Sequence, residues 1–158
     1  MNAVSSITPA SDAKASTGGA VIDPHRFRSQ LIDNMAKIEA WAVGRLRAAN
    51  EKIPPGLGQR LERVLALTQS HPWLYPDARS TKDLLAELKP YQELRSKLAH
   101  SVARTGRSSG RKHYIFNEAV AVAGQEWRSR ITLDERELPV IGHRVAELSQ
   151  LLSAQVLP

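Results

Sequence analysis

Phe27, Leu31, Met35, Ile38, Ala42 and Leu46 recur at steps of three and four residues. At about 100° of rotation per residue these positions fall on one stripe of a helix, whereas a strand would scatter them over both faces. The run therefore commits this part of the chain to a long helix with one buried face. Asp23-Pro24 supplies its start, with Asp23 as N-cap and Pro24 at the first helical position, where a missing N–H costs nothing. Pro54-Pro55-Gly56 is expected to end this first helix and turn the chain.

The same spacing continues downstream. Leu57, Leu61, Val64, Leu65 and Leu67 predict a second helix from about Leu57 to Gln69. His71 to Pro76 is a proline-bounded loop in which Trp73 and Tyr75 are expected to plug the core edge, the alternative being a stacking platform for bases. A third helix starts near Ser80 or Thr81 and carries Leu84, Leu85, Leu88, Tyr91, Leu94 and Leu98, with a kink or break expected at Pro90. After His100 the period changes. Mixed, partly alternating residues separated by Gly106, Gly110 and Gly124 read as a loop or short β-hairpin. Thr132-Leu133-Asp134-Glu135 fits a capping box, followed by a last helix whose regular part starts near Leu138 and runs through Ile141, Val145, Leu148, Leu152 and Val156. Residues 1–22, rich in Ala, Ser, Thr and Gly, have too little apolar surface to offset chain entropy and read as a disordered tail. The remaining residues, 23–158, form one mainly α domain: an up-and-down helical bundle with a loop or short β-hairpin insertion before the last helix.

The chain has no cysteine, which excludes disulfides and thiolate metal sites and is compatible with a reducing cytoplasm. No apolar run approaches the roughly 20 residues of a membrane span, and no secretory signal is legible. The net charge is +6. A charge of this size serves solubility or attracts phosphate. Its distribution favours phosphate, because Arg104, Arg107, Arg111 and Lys112 cluster without an intervening acid. His25, His71, His113 and His143 are scattered and read as surface or capping residues. Glu118 and Glu126 have no partner by spacing, and no metal-ligand, phosphate-loop or Gly-x-Ser-x-Gly pattern is present.

The basic cluster directly follows Leu94-Arg95-Ser96-Lys97-Leu98-Ala99-His100-Ser101. An arginine five residues before a histidine sets a fixed phosphate-binding charge beside a group that exchanges protons near neutral pH. The bare spacing recurs by chance in an arginine-rich chain; the context of an amphipathic helix end sets this instance apart. Arg95 falls about 40° from Tyr91 on an ideal helix, on the flank of the apolar stripe. It either meets a carboxylate such as Glu39 or Glu93 in a structural pair or serves a ligand. His100, at the helix terminus, is either a C-cap or a proton-transfer group.

This stretch resembles the Arg-x4–6-His signature of the HEPN superfamily of small helical domains, commonly Arg-Asn-x-(Leu/Ile)-Ala-His-Gly. Ser96 stands where that pattern usually has Asn, Asp or His, and Ser101 where it often has Gly. The motif covers about eight residues, and the helical arrangement from about Asp23 onward is also similar. The resemblance implies a homodimer in which two motif helices meet in a composite, metal-independent site for RNA, with no cofactor. Arg95 would hold the scissile phosphate and His100 would move a proton. Ser96 would stand in the orienting position, with Lys97, Arg104, Arg107, Arg111 and Lys112 along the RNA. It further implies a ribonuclease of the toxin or defence kind, paired with an antitoxin or other protein partner. The alternative is a non-catalytic HEPN-like module for dimerisation or for nucleotide or nucleic-acid binding.

Overall fold

The computed structural model describes residues 23–122 and 125–155. The tail at 1–22, Gly124 and Val156 lie outside them. Among the described residues four helices surround a common core, and a small antiparallel sheet precedes the last helix: α1 (Pro24–Ala48), α2 (Leu57–Ser70), α3 (Ala78–Ala99), β1 (Val102–Ser108), β2 (Arg111–Val122), β3 (Gln125–Asp134) and α4 (Glu137–Ser153). No helix among them is long and apolar enough to cross a membrane.

The stripe on α1 is buried from Phe27 to Leu46, and α1 packs against all three other helices. Each such side chain contributes about 1.5–3 kcal/mol of burial, so this one face dominates the core. Asp23 Oδ1 accepts from the His25 N–H at 2.7 Å, the N-cap expected of it. The helix ends earlier than the prolines suggest. Asn50, at φ 56°, closes it as the Asn50 N–H bonds to the Arg47 carbonyl and the Glu51 N–H to the Leu46 carbonyl. That is a Schellman cap, which turns the chain before Pro54 is reached.

α3 is one helix, with Pro90 inside it and exposed. The expected break is absent because the carbonyl left without a donor faces water, while Leu85, Leu88 and Leu98 on the other face stay locked in the core. The helices do not alternate strictly up and down. Gly142 on α4 lies beside Phe27 near the start of α1, and Gln155 after α4 bonds to Arg45 near the end of α1, so α1 and α4 run in the same direction. α3 runs against both, because its C-terminal end meets the start of α1, where Arg28 Nη1 donates to the Ser101 carbonyl at 2.7 Å.

The insertion is a three-stranded meander in the order β1-β2-β3 rather than a loop or a lone hairpin. Ser108 pairs with Arg111 across a two-residue turn, Ser109-Gly110, with φ of 50° and 76°. Two positive φ values are the pattern of a type I′ hairpin turn, whose twist suits the flanking strands. Alternation then sorts the side chains by face. Tyr114, Phe116 and Leu133 point into the helical core, and Val102, Arg104 and Arg130 stay exposed on the opposite side.

The capping box sits two residues beyond its expected place. Thr132 is taken up by β3, opposite Ile115. Asp134 Oδ1 accepts from the Arg136 N–H at 2.9 Å, and Glu137 Oε2 accepts from the Asp134 N–H at 2.6 Å. The reciprocal pattern is therefore Asp134…Glu137, and α4 begins beside Leu138 as its periodicity indicates.

Candidate functional site

Arg95 and His100 both belong to the C-terminal end of α3. On a helix their positions are separated by about 140° and about 7.5 Å of rise, so the two side chains diverge from one axis. Arg95 is half-buried beside the stripe made by Leu94 and Leu98, and its Nε is buried without a hydrogen-bond partner among the described residues. The structural pair with Glu39 or Glu93 is not formed. Glu39 is held by Arg60, and no described acid lies within salt-bridge reach of Arg95. An arginine that flanks a core with part of its fork unused retains its donors for another group.

His100 follows α3 as its C-cap and is exposed. The next residue anchors it. Ser101 is buried, its hydroxyl donates to the Leu98 carbonyl at 3.0 Å, and its own carbonyl receives Arg28. Arg28 also lies 3.2 Å from His25 Nδ1 through Nη2. The α3 terminus is thus tied to the first turn of α1. Ser96 and Lys97 are exposed on the last turns of α3, and the Ser96 hydroxyl makes no hydrogen bond to a described residue.

The sheet divides the basic cluster that appears continuous in sequence. Arg104 and Arg111 project from the outward face, which also carries Arg130, a residue the motif reading did not include. Arg107 and Lys112 are cross-strand partners on the other face, beyond the buried part of the core. Lys112 Nζ sits 5.3 Å from the Tyr114 ring centroid and lines a cleft with His25. Glu118 is half-buried on the core-facing side of β2, and the side chain of Glu126 lies outside the described residues.

One buried cation escaped the sequence reading altogether. Arg45, 1% exposed, lies 5.4 Å from the centroids of both Trp41 and Tyr75, and its Nη2 donates to Gln155 Oε1 at 3.4 Å. The same Gln155 oxygen accepts from Thr81 Oγ1 at 2.9 Å, so Arg45 ties together the ends of α1, α3 and α4. Burial pulls its pKa below the ordinary arginine value, opposed by the nearby Tyr75 and Asp77. Its place three residues after Ala42 on the buried stripe was the available signal. Trp73 is the reverse case: it is 73% exposed with its ring edge against His71, while Tyr75 alone fills the core edge.

Among the described residues no three His, Asp or Glu side chains gather as a metal site. No known family, curated protein or solved structure matches the chain.

Proposed function

We propose that this chain is a HEPN-like domain that cleaves RNA as a metal-independent endoribonuclease, through a composite site completed by a second copy. The observation that carries the reading is Arg95: a half-buried guanidinium with an unpartnered Nε, on the same helix end as an exposed histidine. Because Arg95 and His100 diverge within one protomer, a two-fold axis along the end of α3 would bring one pair to face the other. One His100 would then take the proton of the RNA 2′-hydroxyl as its oxygen attacks phosphorus. The other would give a proton to the departing 5′-oxygen, leaving a 2′,3′-cyclic phosphate and a 5′-hydroxyl. Arg95 would grip the non-bridging oxygens as charge develops on them. DNA, without the 2′-hydroxyl, would not be cut.

Lys97, Arg104, Arg107, Arg111 and Lys112 would follow the RNA backbone on either side of this end of the fold. Cellular RNA as substrate implies a cytoplasmic site of action, and a toxin or defence role implies restraint by an antitoxin or other protein partner. The second reading, a non-catalytic HEPN-like dimerisation or nucleotide- or nucleic-acid-binding module, draws on Ser96, whose short exposed hydroxyl engages no described residue.

The absence of native cysteine makes the assembly directly testable. A single Lys97→Cys substitution on the last turn of α3 should form an intermolecular disulfide under mild oxidation. The parent protein should sediment as a dimer at micromolar concentration. A monomer, or a dimer that never cross-links through position 97, would contradict the composite site.

A further inference from the structure

We propose that the cleft between the first turn of α1 and the sheet binds the phosphate monoester of a nucleotide. The inference does not rest on the cleavage chemistry, because neither Arg95 nor His100 lines this cleft; it shares only Lys112 with the basic residues proposed to follow RNA. Its volume is about 390 Å³, at the small end of ligand pockets and suited to a single nucleotide. His25 bounds it on the α1 side, and Thr105, Lys112 and Tyr114 bound it on the sheet side.

Four polar groups meet there, and each has a donor to offer. Tyr114 is 1% exposed, yet it lines the cleft and its hydroxyl bonds to no described residue. The ring is packed away while the hydroxyl is not among the buried unpartnered atoms of the described residues, so it opens on the cleft, where a ligand oxygen can take the place of water. Lys112 is positioned by stacking over the same ring and forms no ion pair with a described acid. The Thr105 hydroxyl bonds to no described residue, and Thr105 pairs directly with Tyr114 across the strands.

The donor side of the His25 ring follows from its neighbour. Arg28 only donates, and its Nη2 lies 3.2 Å from His25 Nδ1 while its Nη1 is anchored on the Ser101 carbonyl. That contact suits the tautomer in which Nδ1 accepts and Nε2 is the donor. His25 thus joins the other three groups as a donor. Asp23, the one acid in the lining, has Oδ1 committed to the His25 N–H as helix cap.

With the Asp23 carboxylate turned to its own helix end, the four donors, one of them a lysine, select a compact acceptor with several oxygens. A phosphate monoester meets that demand with three terminal oxygens, and its charge makes each hydrogen bond stronger than a neutral one. The phosphate could end an RNA chain or belong to a free nucleotide, and the same experiment separates these sources.

The test is calorimetric titration of the full chain with AMP, adenosine, inorganic phosphate, and a tetranucleotide RNA bearing either a 5′-phosphate or a 5′-hydroxyl. AMP should bind at least about tenfold more tightly than adenosine. Tyr114→Phe, which removes only the hydroxyl from a buried ring, and Lys112→Gln should each weaken AMP about tenfold or more, as expected for lost bonds to a charged group. His100→Ala should bind AMP like the parent, which separates this site from the proposed cleavage site. Preference for the 5′-phosphorylated RNA over AMP would identify a chain end as the ligand, and the reverse would identify a free nucleotide. Equal affinity for AMP and adenosine, no binding of any phosphorylated probe, or unchanged AMP affinity in both variants would overturn the proposal.

Discussion

Arg45→Ala and Arg45→Met together ask what the buried guanidinium contributes. The cation faces two rings at 5.4 Å, and each such contact is worth about 1 kcal/mol in a largely desolvated setting. Its three-carbon stem covers apolar surface at about 0.8 kcal/mol per methylene. Against these gains stands the cost of taking the charge out of water, visible in the lowered pKa. Alanine loses the stem beyond Cβ, both ring contacts and the long bond to Gln155 and recovers only the desolvation, for a net destabilisation of about 2–3 kcal/mol. Methionine keeps the stem volume while exchanging ring contacts for desolvation, so it should lie within about 1 kcal/mol of the parent. Urea unfolding followed by circular dichroism measures both, and alanine should lower the thermal midpoint by about 5–10 °C. If methionine is as damaging as alanine, the charge rather than the stem joins the helix ends, and the reasoning fails. An alanine variant within about 0.5 kcal/mol of the parent would refute the structural role itself.

Three further substitutions probe local geometry. Pro90→Ala should stabilise the protein by about 1–3 kcal/mol in the same urea assay, because it restores a helix hydrogen bond at an exposed position of an unbroken helix. Asn50→Val should cost about 1–2 kcal/mol and Asn50→Gly almost nothing, since φ 56° excludes β-branched side chains and suits glycine. Arg144 bonds to both Glu87 oxygens and to Glu147. The bond from Arg144 holds the Glu87 carboxyl below the usual carboxylate range. With the folded value depressed, the contribution of this pair is complete above the unfolded pKa of about 4.3 and fades as pH falls through the folded value. Carboxylate NMR should show Glu87 titrating low in the parent and returning to its ordinary range in Arg144→Ala.

The helices were legible because burial writes a 3.6-residue period into sequence, and the stripes on α1 and α4 lie in the core where that period puts them. The sheet was not. Its outward face mixes Val102 and Ile115 with Arg104 and Arg111, so alternation is blurred, and Ser109 occupies a positive-φ turn position usually held by Asn or Gly. The capping box was displaced because Thr132 and Asp134 both suit an N-cap, and only strand pairing decides between them. For the candidate site, the motif located one helix end but was blind to its surroundings. Arg28 is about seventy residues away in sequence and reaches Ser101 only through the antiparallel packing of α1 on α3, bringing His25 beside it. The four clustered cations are split between two faces by a two-residue period that no motif encodes.

The most direct test of the central claim is cleavage of single-stranded RNA by purified protein in excess chelator, with product ends analysed by mass spectrometry. The account predicts 2′,3′-cyclic phosphate ends from the parent. It also predicts a loss of about 10²–10⁴ in rate for His100→Ala, with an unchanged thermal midpoint because His100 is exposed. Undiminished cleavage by a folded His100→Ala protein, or no cleavage by the parent, would contradict it.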